Sequence, residues 1–509
     1  MSASIARQPG ASMPWRRETV TAIPIVDVFA GPGGLNEGFS SLLDPDKNPI
    51  FRTVNSFEMN DAAVNTLKLR AALRTIRRES GRNPDGYYRL LREGRAFPAF
   101  GDVPELAAAF KDADKEVRRL ELGEATRDES DEIIRDSLEE AGDVPWVLVG
   151  GPPCQAYSLA GRSRRTNDPT FVDDHKHVLY REYLHILEEH RPTVFVMENV
   201  KGMLSSQHDG GSIFQKILQD LRGPAEGVEY EIRSFAVPGT EPRDFILRAE
   251  SYGVPQRRHR VILLGVLKGS GLGRQELLST SDPVPVADAI AGIPAIRPMI
   301  SPRSWDSKDL FLAARAAARE LSGHRGTDKC PPIGKAFIAT KDAERVPGDL
   351  GDWLEDPELG GVIQHESRAH MTEDLVRYGY LSAKALVGEF PKVNQLPNGL
   401  IPNHKNAERE DAPFSDRFRV QRSDLPSTTV VSHIAKDGHY YIHPDPDQMR
   451  SLSVREAARL QTFPDDYYFT GSRTEQYHQV GNAVPPLLAR KLGAVIAELL
   501  GREVGPGRL

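Results

Sequence analysis

Residues 147–158 read Val-Leu-Val-Gly-Gly-Pro-Pro-Cys-Gln-Ala-Tyr-Ser. The apolar run that ends at Val149 has the pattern of a parallel strand covered on both faces. Two glycines and two prolines then stop the strand and fix the backbone, leaving Cys154 little conformational freedom. A thiol there stands at the carboxyl end of a sheet strand, where open α/β folds place their ligands. An isolated cysteine is most often a small buried core residue. The rigid Gly-Gly-Pro-Pro turn argues here for a nucleophile.

Other apolar runs extend this pattern in both directions. IPIVDVF (23–29) reads as a buried strand, followed by the turn AGPGG and the helix-like LNEGFSSLL. RTVNSFE (52–58) is a second strand, AFGDV (99–103) resembles a third, and the fourth ends at Gly150. The helical HVLYREYLHILEEH leads to a fifth, TVFVMEN (193–199), and VEYEIRSFAV and RVILLGVL supply more. Strands alternating with helices predict an α/β fold built on a doubly wound, mostly parallel sheet of the Rossmann-like type. Residues 104–143 are charged and alanine-rich and are expected to form a peripheral helical insertion with a solvated surface. After residue 268 the alternation ends, and 269–425 is richer in proline, charge and irregular segments, with one helix-like piece, DLFLAARAAARELSG. Order returns at SVREAARLQTF, where Ser453 and Glu456 form a capping-box pattern. The expected organisation is a tail (1–22), an α/β domain (23–268), a smaller irregular domain (269–450) and a C-terminal segment (451–509) that rejoins the α/β domain.

Bulk composition narrows the class. At 509 residues the chain exceeds one ordinary core, and 39% hydrophobic with 27% charged residues describes a soluble globular protein. No stretch approaches the length of a membrane span and the start lacks an apolar signal core, so a cytoplasmic location without membrane contact is expected. Cys154 and Cys330 are too few for a disulfide framework or a four-thiolate zinc site, so no metal is expected. A net charge of −7 does not advertise nucleic-acid binding, which depends on local basic faces rather than on the total.

Several residues carry chemistry. The glycine turn at Gly31, Gly33 and Gly34 suggests a nucleotide-type pocket, but Asn36 breaks the G-x-G-x-x-G spacing and disfavours a pyrophosphate. S-adenosylmethionine, which has no phosphates, fits better. Glu58 ends the second strand where such folds place an acid on ribose hydroxyls, and Asp102 is a candidate for an adenine amine. Glu198 ends the buried run VFVM, and a carboxyl group able to hold a proton there can donate to a ring nitrogen while accepting from an exocyclic amine. In QRRHR, Arg258 and Arg260 stand two apart on one side of a strand start, suited to phosphate or base-carbonyl contacts.

Taken together, these blocks resemble the DNA (cytosine-5) methyltransferases: DVFAGPGG, the acid of NSFEMND, GDV, GGPPCQAYS, MENV, QRRHR, REAARLQTFPDDY and QVGNAVPP occur in that family's order. The family's loop often carries Phe where this chain has Pro152 or Tyr157. The resemblance implies methyl transfer from S-adenosylmethionine, with S-adenosylhomocysteine as product, to C5 of a flipped cytosine. In that reading Cys154 is the nucleophile, Glu198 and Arg260 bind the base, and Arg258 supports the site. Phe29, Ala30, Gly31, Gly33, Gly34, Glu58, Asp102, Pro152 and Asn482 line the cofactor pocket. Gln155, Ser158, Arg162, Arg164, Arg165, Gln256, Thr429 and Val430 approach the DNA. The irregular 269–450 domain becomes the target-recognition domain, and double-stranded DNA the partner of a monomer serving DNA modification beside a restriction or defence system. Amino-methylating enzymes would need an Asp/Asn-Pro-Pro-aromatic turn, whereas tRNA-methylating relatives share the Pro-Pro-Cys loop. A catalytically silent binding protein is disfavoured because every reactive position is present.

Overall fold

A computed structural model describes residues 22–153, 175–205, 207–208, 211–340, 343–403 and 416–507. Its centre is a sheet begun by β1 (Ile23–Val28), all six residues of which are buried. Helix α1 (Gly34–Ser40) follows, then β2 (Phe51–Glu58). Three helices come next: α2 (Asp61–Ser80), α3 (Asp85–Arg92) and α4 (Pro104–Glu116). The chain continues through β3 (Val117–Arg119), α5 (Arg127–Ala141), β4 (Val147–Gly150), α6 (His175–His190) and β5 (Val194–Val200). Beyond α7 (Ile213–Arg222) lie β6 (Tyr230–Arg233), β7 (Ile246–Arg248), β8 (Gln256–Arg257) and β9 (His259–Leu267). The sheet runs β3-β2-β1-β4-β5-β9-β6, with β7 on the end of β9. Pairing is parallel from β3 through β5 and antiparallel from there on.

Each sheet face has its own core. One is covered by α1 and the C-terminal helix, whose Leu488, Leu492 and Val495 meet Ile25, Val149 and Val196. The other face packs Val26, Val28, Leu148 and Met197 against α5, α6 and α7 through Ile134, Tyr183, Leu187 and Phe214. Helix α2 starts where Asn60 accepts the Ala63 N–H at 3.1 Å and stops at Gly81, whose φ of 77° suits a residue without Cβ.

Two sequence expectations change. AFGDV is not a strand: Phe97–Asp102 is a 3-10 turn, with Phe100 buried against Tyr87 and Tyr468 and Asp102 exposed. Pro98 and Gly101 suit a turn, and strand three is instead the short charged Val117–Arg119. The segment 104–143 is helical with a largely exposed outer side, but it is part of the sheet's own layering and no appendage. Helix α4 packs on α2, and α5 is the crossover between β3 and β4, with Ile134 fully buried over the sheet.

In the region from 269 to 450, α8 (Lys308–Ser322) packs against α9 (Thr372–Leu386), and β10 (Lys335–Ala339) pairs antiparallel with β11 (Gly361–His365). A two-residue β12 (Ser427–Thr428) returns beside β8 in parallel. Three helices close the chain: α10 (Val454–Leu460), α11 (Arg473–Asn482) and α12 (Pro486–Leu499). The capping box at α10 is formed: Ser453 N–H donates to Glu456 Oε2 at 2.7 Å and Glu456 N–H to Ser453 Oγ at 3.2 Å. Among the described residues no helix is long and apolar enough to cross a membrane, and no cluster of three or more His, Cys, Asp or Glu is arranged to hold a metal.

Two buried histidines link this region to the chain at and just before the capping box. His365 Nδ1 and Ser453 Oγ are 2.8 Å apart, and His365 Nε2 lies 2.7 Å from Pro294 O. His370 Nε2 accepts the Ser451 N–H at 3.3 Å, which a protonated ring cannot do. Burial pushes His365 down to about 4 and His370 to about 3. Both folded values lie below the unfolded one, about 6.5, so the unfolded chain takes up protons first as pH falls. Their contribution is complete above that unfolded value and is lost progressively toward the folded ones. Lowering the pH from about 6.5 to about 4.5 should cost about 2–3 kcal/mol per histidine. Urea unfolding at the two pH values checks this: His370→Gln should show an acid loss smaller by about that amount.

Candidate active site

The strand order brings several loops to one edge. After β1 the chain turns through Phe29 (φ 56°), Gly31 (φ 57°) and Gly33 (φ 90°), all left-handed. Phe29 is the costly member, because a side chain in that region clashes with its own backbone. The neighbouring strand β2 holds the turn: Ala30 N–H donates to Phe57 O at 3.1 Å and Gly31 N–H to Glu58 Oε2 at 2.8 Å. The other oxygen of Glu58 accepts from Met59 N–H at 3.0 Å and Asn60 N–H at 2.8 Å. At Gly34 a Cβ would lie 2.1 Å from Val484 O, so the loop and the segment before α12 are in direct backbone contact.

At the end of β4 an added Cβ on Gly151 would stand 2.9 Å from Glu198 Oε2, so the two strand ends are in close contact. Asn199 Nδ2 donates to Pro152 O at 3.3 Å. Glu198 emerges from β5 and pairs with Arg260 of β9, Nε to Oε1 at 2.8 Å, each side chain 14% exposed. Arg260 also donates from Nη1 to His259 O at 3.0 Å.

One cleft of about 910 Å³ joins these groups. Phe29, Ala30, Gly31, Gly34, Glu58 and Asn482 line one part, and Pro152, Glu198, Arg258 and Arg260 another. Gly33 stands behind the lining, facing Leu67 and Tyr467. Asp102 does not line the cleft. Its expected place, just past strand three, is occupied by Leu120, Glu121 and Leu122. The strand before them, Val117–Arg119, has one apolar residue and so no alternation to mark it in the sequence. Helix α11 adds Glu475 and His478 to Asn482 at helical spacing along one face, a wall the sequence reading did not single out.

Three residues expected near DNA or the site are interior. Arg258 is buried and donates from Nη1 to Val430 O at 2.8 Å and to Gly481 O at 3.3 Å. Burial, assisted by Arg260, pulls its pKa down to about 9. Gln256 is fully buried: its amide donates to Leu460 O at 3.1 Å and Gln461 Oε1 at 3.0 Å, and accepts from Val430 N–H at 2.7 Å. These bonds occupy its polar atoms, and Val430 is fully buried beside it. Thr429 is half-exposed, its hydroxyl donating to Arg257 O at 2.6 Å. Cys154, Gln155, Ser158, Arg162, Arg164 and Arg165 lie outside the described residues.

Comparison with known proteins gives consistent findings. The family model "C-5 cytosine-specific DNA methylase" matches residues 126–498. The type II methyltransferase M.Bpa9945I of Bacillus paralicheniformis is 32% identical over 94% of this chain and 99% of its own length. The type II methyltransferase M.AgeI of Thalassovita gelatinovora is 32% identical over 71% of this chain and 85% of its own. A solved structure described as a DNA modification methyltransferase encoded within an E. coli prophage superposes with a TM-score of 0.56. It is 20% identical and covers 94% of this chain and 100% of that one, a likeness of fold.

The loop geometry ranks two glycines. At Gly34→Ala the new methyl meets rigid backbone and should cost about 1–3 kcal/mol or more. At Gly31→Ala no atom lies within 4 Å, and the cost should be that of a left-handed residue, about 1–2 kcal/mol. Urea midpoints of the two variants should fall in that order.

Proposed function

The chain belongs to the C-5 cytosine-specific DNA methylase family, and on that premise we propose that this single cleft serves both halves of a methyl transfer to cytosine in duplex DNA. The observation that carries the reading is the common lining. The glycine turn with Glu58 and the Glu198–Arg260 pair open into one space, beside Pro153, the residue that Cys154 follows in sequence.

Family membership implies S-adenosylmethionine, which supplies an electrophilic methyl group on a sulfonium. The donors present suit it better than a diphosphate. Gly31 N–H is taken by Glu58 and Gly33 N–H by Ala30 O at 2.9 Å, so neither of these glycines presents its N–H to phosphate oxygens. Glu58 accepts three backbone hydrogen bonds across roughly four lone-pair positions and keeps one for a ribose hydroxyl. Phe29, Ala30, Gly31, Gly34, Pro152 and Asn482 would line the cofactor, with Gly33 shaping the turn and Glu121 standing where Asp102 was expected.

Cytosine C5 is too weak a nucleophile to take a methyl group unaided. Addition of the Cys154 thiolate to C6 forms an S–C6 bond and moves the ring's π electrons to C5, which becomes enamine-like. Glu198 hydrogen-bonds N3 and the exocyclic amine while Arg260 contacts the base carbonyl, stabilising charge as the adduct forms. Once C5 carries the methyl group, loss of its proton restores the C5–C6 double bond and expels the thiolate. The base must leave the duplex first, at roughly a few kcal/mol of lost stacking. Thr429 and the segment carrying Gln155, Ser158, Arg162, Arg164 and Arg165 are the DNA-side candidates; Gln256 and Val430 support that side from the interior. The full-length similarity to a type II methyltransferase favours a DNA-modification role beside a restriction enzyme.

The covalent step is tested with duplex DNA containing 5-fluorocytosine, which blocks the final proton loss. Wild-type protein with S-adenosylmethionine should give a denaturant-resistant complex and Cys154→Ser none; an adduct surviving that change removes Cys154 from the chemistry. The cofactor assignment is tested by calorimetric titration. Glu121→Gln should weaken S-adenosylmethionine binding about tenfold, the scale of one hydrogen bond to a charged group, and Asp102→Asn should leave it unchanged.

A further inference from the structure

Tyr467 lies outside the cleft lining and is fully buried, yet its hydroxyl donates to the carbonyl of Pro32 in the middle of the glycine turn. A Cβ on Gly33 would approach the same hydroxyl oxygen to 3.3 Å. The tyrosine itself has little freedom. Its N–H donates to Pro464 O at 2.9 Å and its carbonyl accepts from Arg455 Nη2 at 2.7 Å. Its ring packs on Phe463 and Phe469, with centroids 4.7 and 5.2 Å away.

Arg70 lies over the ring, its guanidinium carbon 4.4 Å from the centroid. Arg70 has no solvent exposure and pairs with Glu37 at 2.5 Å and Asp466 at 2.8 Å. Glu37 belongs to the first turn of α1, directly after the glycine turn, and its N–H donates to Gly33 O at 2.8 Å. Asp466 precedes Tyr467 and is also fixed by Asn83, whose Nδ2 donates to it at 3.3 Å. One ion-pair cluster therefore grips both the tyrosine and the helix that leaves the turn.

The turn needs such support. Phe29, Gly31 and Gly33 hold left-handed conformations, and Phe29 does so against its own side chain. Glu58 restrains the turn from the cleft side through Gly31 N–H, and Tyr467 restrains it from behind through Pro32 O. Pro32 has no N–H, so its carbonyl is the polar handle it offers.

We propose that Tyr467 is a positioning residue for cofactor binding: its hydroxyl, locked by the Arg70 cluster, sets the Pro32 carbonyl and with it the turn that faces S-adenosylmethionine. This rests on the cofactor reading above. A buried tyrosine hydroxyl needs an acceptor wherever it lies, so the competing account is that Pro32 O merely satisfies it. Tyr477 separates the two accounts. It is equally buried, and its hydroxyl donates to Leu452 O at 2.7 Å, away from the turn.

Tyr467→Phe keeps the ring and removes only the hydroxyl. Calorimetric titration of the full chain should show S-adenosylmethionine and S-adenosylhomocysteine each binding about five- to tenfold more weakly. The KM for DNA and kcat at saturating cofactor should stay within about twofold, since neither DNA nor the base pocket touches this hydroxyl. Tyr477→Phe should lower the melting temperature by a similar amount and leave cofactor affinity unchanged. The proposal is overturned if Tyr467→Phe binds cofactor as tightly as wild type, or if Tyr477→Phe weakens binding by the same factor. Wild-type protein that binds no S-adenosylmethionine would defeat the cofactor reading and this proposal together. Wild-type binding with an unaffected Tyr467→Phe defeats the proposal alone.

Discussion

Val28, Phe57, Gly150 and Met197 stand side by side in the sheet, and the site begins one residue beyond each of them. Val28 is in register with Phe57 on one side and Gly150 on the other, and Gly150 with Met197. The following residues are Phe29, Glu58, Gly151 and Glu198. Parallel strands must all point the same way, so four chain segments remote in sequence deliver these residues, at or near their strand ends, to one edge. Shifting β1 by one residue would exchange its two faces, placing Ile25 and Val26 in the wrong cores and pulling the glycine turn away from Glu58. Burial on both faces therefore sets the geometry of the cleft as firmly as any polar contact in it.

A different economy governs the residues beyond 268. Short strands and irregular segments leave many buried carbonyls without a ladder partner, and such groups must be satisfied. Guanidinium groups do this. Arg455 donates to Ile363 O, Pro464 O and Tyr467 O at 3.2, 3.0 and 2.7 Å, and Arg315 reaches Lys329 O at 2.9 Å and Asp328 O at 3.2 Å. Arg450 pairs with Glu456 through two bonds of 2.6 Å, and Arg459 with Asp465 through two of 2.8 Å. Desolvation offsets much of the attraction in pairs this deeply buried, so their net stabilisation is modest. Their value lies in geometry: a planar fork of five donors fits several carbonyls at once and fixes segments that lack regular structure.

The same contrast explains what could be read in the sequence. Continuous apolar runs in β1, β4 and β5 mark buried strands, and Phe29, Pro152 and Glu198, each at or just past the end of such a run, line the cleft. Asp102 was misplaced because GDV matched a motif, while the true third strand, Val117–Arg119, is three residues long and mostly charged. A strand that short at a sheet edge has no apolar periodicity to show. Gln256, which the family resemblance puts near DNA, has no exposure. Its partners are the Leu460 carbonyl, Gln461 and the Val430 N–H, none near it in sequence, so no local pattern could have revealed them. Periodicity records burial along an element; it does not record which distant backbone a polar side chain will meet.

Arg258 shows how the two regimes are joined. It stands between the exposed Arg257 and His259, two residues before Arg260, and turns inward where Arg260 turns to Glu198. Its Nη1 reaches Val430 O, on the segment returning from the irregular region, and Gly481 O, on the helix that walls the cofactor side of the cleft. Gly481 permits this closeness, since a Cβ there would lie 2.3 Å from the Ser432 nitrogen. One side chain thus joins three segments whose spacing defines the cleft: its own, leading into the strand that bears Arg260, the return at Thr429–Val431 and the end of α11 at Gly481. Its Nε has no partner among the described residues, and burial lowers its pKa to about 9, so the group is held at a real electrostatic cost. A hydrophobic side chain would avoid that cost but could not bind two carbonyls from different segments. Keeping the charge is the physical consequence of assembling one pocket from strand, loop and helix that share no backbone ladder.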